Sequence, residues 1–268
     1  MTMIWFGDRL VPAPEALISP ADRGFTLGDG VFETLCCRDG RVLQLEAHLE
    51  RLNTGAKLLE IPLPLDFDRL KRACEATLAG NGLTDGSLRL TLTRGPGARG
   101  LPPPVKPSPT LVITAAPMAP PPAPARLIIA ESTRRNEHSP LSRIKSLNAL
   151  DNILARQEAI RAGADDAILL NTAGRVAETS IANLFAMIDG VTVTPPVEDG
   201  ALPGIARRLI LERLEAEERP LLPADLARAA ALFLSNSLGL RPVSELWLDR
   251  VTAPVRYTGN LSLDSLSL

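Results

Sequence analysis

Disulfide frameworks and zinc clusters are the first classes to fall away. The 268-residue chain has only three cysteines, adjacent at Cys36 and Cys37 and alone at Cys74. They form no even-numbered set and match no zinc-ligand spacing, so they read as small core residues in a reducing compartment. Also missing is any stretch of about 18 uninterrupted apolar residues that would span a membrane as a helix. Met1 to Asp8 has neither the basic leader nor the sustained apolar run of a signal peptide, and the expected location is the cytoplasm. Nor is there an excess of charge. A formal net charge of -2 and a pI of about 5.8 give no overall basic field to draw in nucleic acid or anionic lipid. The expected partner is a small molecule, and no metal is implied.

What the chain does have is 45% hydrophobic residues, enough at this length for one large core or two moderate ones. Composition breaks most sharply between Ala115 and Ala125, a Pro-Ala stretch that lacks backbone donors and favours an extended connection. The expected organisation is an N-terminal α+β domain over 1–115, a proline-rich linker over 116–125 and a C-terminal domain over 126–268.

In the first domain, Gln44 to Leu59 places Leu45, Leu49, Leu52, Ala56 and Leu59 at helical spacing, with Arg51 beside the apolar stripe. Ser87 to Thr93 alternates so that Leu88, Leu90 and Leu92 share one strand face, and Leu111 to Thr114 is a second short strand. In the second domain, Leu127 to Ala130 reads as a strand. Asn148 to Arg161 reads as a helix stopped by Gly163, with Leu150, Ile153, Leu154 and Ile160 expected on its inner face. Ala167 to Leu170 is a buried strand, and Leu184 to Ile188 with Val191 to Val193 a hairpin about Asp189-Gly190. Helices are expected from Pro203 and Pro223. The stretch after Trp247 is too polar and irregular to assign.

Several residues suit one anionic aromatic cofactor. A pyridoxal phosphate site needs an amine that holds the aldehyde as a Schiff base and, once displaced by substrate, moves a proton. Lys145, in Ser142-Arg143-Ile144-Lys145-Ser146-Leu147-Asn148, is the candidate. It reads as lying just ahead of a helix, where a cation opposes the dipole. The ring nitrogen needs a carboxylate to keep it protonated. Glu178 fits that need, because it lies in a mostly small and uncharged neighbourhood between two apolar strands. Pro203, at a helix's first position, leaves the amides of Gly204, Ile205 and Ala206 at the positive end of the dipole, an anion site. Arg51 offers a bidentate phosphate contact and Ser237 a hydroxyl. Taken singly, these are also a solvated lysine, a loop carboxylate, an amphipathic rim arginine and a turn serine.

Together their order and spacing resemble the fold-type IV pyridoxal phosphate enzymes, which include branched-chain and D-amino-acid aminotransferases and 4-amino-4-deoxychorismate lyase. The matching pieces are Asp22-Arg23-Gly24-Phe25 leading into Gly28-Asp29-Gly30-Val31-Phe32-Glu33-Thr34, then His48-Leu49-Glu50-Arg51-Leu52, Ile144 to Asn148, Glu178 to Phe185, and Leu202-Pro203-Gly204-Ile205-Ala206-Arg207. The resemblance runs from about Asp22 to Val243. It implies a two-domain α+β fold of the D-amino acid aminotransferase-like type, Lys145 as the Schiff-base lysine and Glu178 at the ring nitrogen. It places Arg51, Ile205, Ala206 and Ser237 around the phosphate, adds Asn236 as a cofactor-binding residue, and implies a homodimer with the cofactor between two domains. Ala206 departs from the threonine that many aminotransferases of the family carry, so one phosphate hydroxyl is missing while the backbone amide remains.

Three segments are more similar to the lyase than to the aminotransferases: Phe32-Glu33-Thr34, the loop Arg94-Gly95-Pro96-Gly97-Ala98-Arg99-Gly100, and Ser235-Asn236-Ser237-Leu238 with Pro242-Val243. The run Arg134 to Pro140 is also lyase-like. The lyase's substrate carries two carboxylates, which makes Arg94 and Arg99 candidate substrate contacts, with Thr34 beside them. The implied reaction releases pyruvate and forms 4-aminobenzoate, a folate precursor. The alternatives are a transaminase using Lys145 for a 1,3-proton shift, and a cofactor-binding protein without turnover. Retention of both Lys145 and Glu178 speaks against the last.

Overall fold

The computed structural model describes residues 1–249 and 251–258. The chain divides into two compact units, Met1–Pro120 with Ile144–Asn148, and Pro121–Arg143 with the chain from Ala149 onward. The five-residue stretch holding Lys145 therefore belongs with the N-terminal unit, although it is flanked on both sides by chain of the other.

The first unit is built on one antiparallel sheet. Its strands are β1 (Met3–Phe6), β2 (Arg9–Pro12), β3 (Gly30–Arg38), β4 (Arg41–Val42), β5 (Gly86–Thr93) and β6 (Thr110–Pro117), in the order β2-β1-β6-β5-β3-β4. Three helices accompany it: the single turn α1 (Arg23–Leu27), α2 (Leu45–Leu58) and α3 (Phe67–Gly80). Leu88, Leu90 and Leu92 all point to one face of β5 and are fully buried, as period-2 alternation requires. They pack with Leu111 and Ile113 of β6 and with Leu45, Leu49, Leu52 and Ala56 of α2. Asp66 caps α3 by accepting from the Arg69 amide at 2.8 Å. Cys36, Cys37 and Cys74 are buried free thiols, and burial pushes Cys37 and Cys74 up to about 12.

The second unit is a mixed sheet: β7 (Ala125–Ile129), β8 (Asp166–Leu170), β9 (Val176–Thr179), β10 (Asn183–Ile188), β11 (Val191–Thr194), β12 (Glu217–Glu218), β13 (Ala231–Asn236), β14 (Gly239–Trp247) and β15 (Val255–Arg256). The order is β12-β11-β10-β13-β14-β7-β8-β9, with β15 also on β14. Asp189 and Gly190 both have positive φ, 53° and 81°, the type I′ geometry that matches strand twist in a two-residue hairpin. Helices α4 (Leu150–Arg161), α5 (Ile205–Arg213) and α6 (Pro223–Ala227) complete it.

Two expectations are corrected here. The inner face of α4 is Ala155, Glu158 and Ala159, packed near Ile128, Ala167 and Leu169, while Leu150, Ile153, Leu154 and Ile160 are all exposed. Alanines let the helix approach closely, and the larger side chains are left on the outside. In α5 the cap is Gly204 and the first helical residue Ile205, so Pro203 precedes the helix instead of opening it.

Candidate active-site residues

In the first unit, Lys145 precedes α4, as expected, but α4 begins only at Leu150 and lies in the other unit. Residues 145–147 run antiparallel to the start of β3. The Phe32 amide donates to the Lys145 carbonyl at 2.9 Å, the Leu147 amide to the Gly30 carbonyl at 3.0 Å, and Ser146 bridges Val31. A Cβ on Gly30 would lie 2.4 Å from the Leu92 carbonyl oxygen and 2.8 Å from Leu147 Cδ1. Glycine at that position is what lets the lysine segment settle on the strand.

The face of β3 opposite the core then presents side chains to Lys145. Its Nζ lies 4.6 Å from the centroid of the Phe32 ring, and the guanidinium carbon of Arg89 lies 3.9 Å from the same centroid, cation–π distances in both cases. Strand register puts Thr34 opposite Arg89 and Arg89 opposite Thr114, with Phe32 opposite Thr91 in the next row. Opposed residues in antiparallel pairs share a face. Lys145 thus overlooks a floor of threonines, one aromatic ring and Arg89. No carboxylate pairs with Arg89 among the described residues. Arg89 was missed in the sequence, yet a charged residue alternating with Leu88 and Leu90 was a legible sign of a cation on the outer face.

The core side of the same strand holds Glu33, only 1% exposed. Arg51 closes a fork on it, Nε to Oε1 at 2.8 Å and Nη2 to Oε2 at 2.6 Å, and His48 Nδ1 lies 2.7 Å from Oε2. Burial alone would push this carboxyl up, but Arg51 and His48 outweigh it and hold it below the ordinary glutamate range. The Nε–Nη2 edge of Arg51 is therefore committed to Glu33, so a bidentate phosphate contact is not open through this edge.

Arg94 is buried and forms a bidentate pair with Asp29 (2.7 and 3.1 Å) while donating to the carbonyls of Leu59 (2.6 Å) and Glu60 (3.2 Å). Its donors are thus spent on Asp29 and on the chain just after α2. Arg23 shares Asp29 at 2.8 Å and reaches the carbonyls of Gly100 and Leu101, which pins the glycine-rich loop. Arg99, on that loop, is exposed.

In the second unit Glu178 is a strand residue, on β9 opposite Leu169, and 6% exposed. Its Oε2 accepts from the Leu202 amide at 3.0 Å, and its Oε1 lies 3.2 Å from Arg135 Nε. Asn183 donates to the Leu202 carbonyl at 2.9 Å, so two side chains clamp one residue, by its amide and its carbonyl, just ahead of α5. Gly204 rests against Asn183, and a Cβ there would fall 2.1 Å from its Oδ1. The Gly204 amide is used by the Leu202 carbonyl at 2.8 Å; the amides opening the helix are those of Ile205, Ala206 and Arg207. Ile210, on the same helix, packs into the stacked pair Phe185 and Phe233, centroids 4.9 Å apart, which fixes where that N-terminus points. Ser237 sits at the tip of the β13–β14 hairpin, and Asn236 turns inward to accept from the Leu238 amide at 2.9 Å. His138 is an exposed loop residue. Among the described residues no group of three or more His, Cys, Asp or Glu could hold a metal, and no helix is long and apolar enough to cross a membrane.

The first unit thus holds a lysine on a sheet face, and the second a buried carboxylate and the N-terminus of α5. Residues 30–246 match the model of the class IV amino-transferases, and the chain belongs to that family. It is 37% identical over 251 residues to a putative branched-chain-amino-acid aminotransferase of Methanocaldococcus jannaschii, covering 91% of this chain and 87% of the relative. The crystal structure of 4-amino-4-deoxychorismate lyase from Pseudomonas aeruginosa superposes with a TM-score of 0.83 at 35% identity, covering 98% of this chain and 97% of that one. A hypothetical aminotransferase from Mycobacterium tuberculosis in its PLP-bound form superposes with a TM-score of 0.83 at 25% identity, covering 98% and 95%.

Proposed function

We propose that the chain is a pyridoxal phosphate enzyme acting as a 4-amino-4-deoxychorismate lyase. The observation that carries the reading is the floor beneath Lys145. A branched-chain amino acid asks for an aliphatic pocket, whereas Thr34, Arg89 and Thr114 form a polar, cationic row suited to a substrate with carboxylates. The donor set fits the cofactor. The amides of Ile205 and Ala206 and the hydroxyl of Ser237 suit its phosphate, with Arg51 as the side-chain cation of the set, and Glu178 suits its ring nitrogen. Bound, the cofactor supplies an electron sink.

The protein's residues then have distinct tasks. Lys145 would hold the cofactor through its amine and, once free, would remove the proton from C4 of the substrate. Glu178 keeps the ring nitrogen protonated. Arg89, joined by Arg99, binds carboxylate. Loss of the C4 proton and cleavage of the neighbouring enolpyruvyl C–O bond aromatise the carbocycle, giving pyruvate and 4-aminobenzoate with no amino acceptor consumed. We also infer a homodimer, with a second copy covering the aliphatic face of α4.

The test is release of pyruvate and 4-aminobenzoate from 4-amino-4-deoxychorismate by the cofactor-loaded protein without any 2-oxoacid. Equimolar products are expected. No release, together with turnover of D-alanine or L-leucine that requires 2-oxoglutarate, would assign the chain to the transaminases of its family.

A further inference from the structure

Glu178 does not act alone, and the residue behind it comes from a stretch that the reaction has not yet used. The loop after β7 carries Arg134 and Arg135 side by side. Arg134 turns back on its own loop and donates to the carbonyls of Ala130 and Thr133 at 2.8 and 2.9 Å. Arg135 goes the other way. Its amide donates to the Leu170 carbonyl at 2.9 Å and its backbone bridges Asn171, so the residue is anchored to the end of β8, the strand that pairs with β9. Its guanidinium donates from Nε to the Gly200 carbonyl at 3.2 Å and from Nη2 to the Ser142 carbonyl at 3.3 Å. With the head thus held, Nε stands 3.2 Å from Glu178 Oε1, the two side chains being 15% and 8% exposed.

Gly200 makes the approach possible. Its φ of +96° is in the left-handed region, and a Cβ there would meet the Arg135 Cβ at 3.2 Å, a distance that would push the arginine aside. Three separate chain segments therefore converge to present one cation to one carboxylate oxygen, while the Leu202 amide takes the other oxygen.

We propose that Arg135 is the positioning residue for Glu178, fixing its orientation and keeping it a carboxylate so that the shared proton resides on the cofactor's ring nitrogen. This rests on the reading of Glu178 as the ring-nitrogen partner. A proton between a pyridine nitrogen and a carboxyl group goes to whichever is the stronger base. An opposite charge within about 4–6 Å favours the ionised acid. Removing the guanidinium makes Glu178 the better base, moves the proton onto it, and leaves the ring a weaker electron sink.

The experiment loads the full chain with pyridoxal phosphate labelled with 15N in the ring and reads the ring-nitrogen chemical shift, alongside kcat and KM. Wild type is expected at the protonated position and Glu178→Gln at the unprotonated one. Arg135→Gln should cover most of that interval and lower kcat by about 10- to 100-fold with KM little changed, on the scale of general acid–base effects. Arg135→Lys should return the resonance most of the way to wild type. An Arg135→Gln protein that keeps the wild-type resonance while Glu178→Gln loses it would overturn the role of Arg135 and leave that of Glu178 standing. A Glu178→Gln protein with the wild-type resonance would overturn both. Should Arg135→Gln fail to fold, Gly200→Ala, which crowds the arginine, must shift the resonance in the same direction, and an unmoved resonance there would equally overturn the proposal.

Discussion

Glu33 and Glu178 are both buried strand glutamates facing an arginine, and they serve opposite ends. Glu33 points into the apolar side of the first sheet, and its partners His48 and Arg51 come from one face of α2. Its pair is local, forked and enclosed, a device of the fold. Glu178 receives Arg135 and the Leu202 amide from segments far apart in the sequence, the second of which leads into the N-terminus of α5. The difference teaches that burial and an arginine do not by themselves mark a functional carboxylate; what its partners are attached to does.

The sharpest way to break the comparison is to neutralise each glutamate in turn. Glu178→Gln should lower turnover by about 100-fold or more while leaving the thermal midpoint close to wild type, as steady-state kinetics and calorimetry would show. A collapse in stability with normal specific activity of the folded fraction would reverse its role. Glu33→Ala removes the buried carboxylate that Arg51 and His48 share and should destabilise the first unit by about 3–5 kcal/mol, the usual cost of breaking a buried ion pair, read by urea unfolding. Arg94→Ala, which strips Asp29 of its bidentate partner, should cost about 1.5–3 kcal/mol and leave substrate KM unchanged. A rise in KM without loss of stability would restore Arg94 to the substrate.

The pH dependence sharpens the contrast in a gentler way. For Asp29, burial raises the carboxyl but Arg94 and Arg23 overcome it; for Glu33, Arg51 and His48 do the same, and both end below their ordinary values of 3.8 and 4.5. Groups lowered in the folded state contribute stability that is fully present above the unfolded value and lost as pH falls through the folded one. The melting temperature should therefore decline as pH is taken below about 4.5, and the decline should be shallower in Glu33→Gln. An equal slope in both proteins would remove Glu33 from the account.

Much of this was legible beforehand, for physical reasons. Leu88, Leu90 and Leu92 declared a strand because burial on one sheet face imposes a period of two, and Asp189-Gly190 declared a turn because only such residues accept two positive φ values in succession. Glu178 drew notice as a charge among small uncharged neighbours. The inner face of α4 was misread because size was taken as the sign of burial, whereas Ala155 and Ala159 make the contact. Glu33 could have been found from its alternation with Val31 and Leu35, and Arg135 could not, since nothing local says that its guanidinium will meet a strand residue paired to the next strand over. The Lys145 segment was legible as lying ahead of α4, but its hydrogen bonds to Gly30 and Phe32 were not, because they join residues more than a hundred positions apart.

The central claim is that Lys145 carries the cofactor. The chain has four lysines, at positions 57, 71, 106 and 145. Borohydride reduction of the pyridoxal phosphate-loaded protein, followed by proteolysis and mass spectrometry, locates the amine that holds it. The account predicts a single phosphopyridoxyl adduct on the peptide containing Lys145, and its loss in Lys145→Ala. A stoichiometric adduct on Lys57, Lys71 or Lys106 with Lys145 unmodified would contradict it.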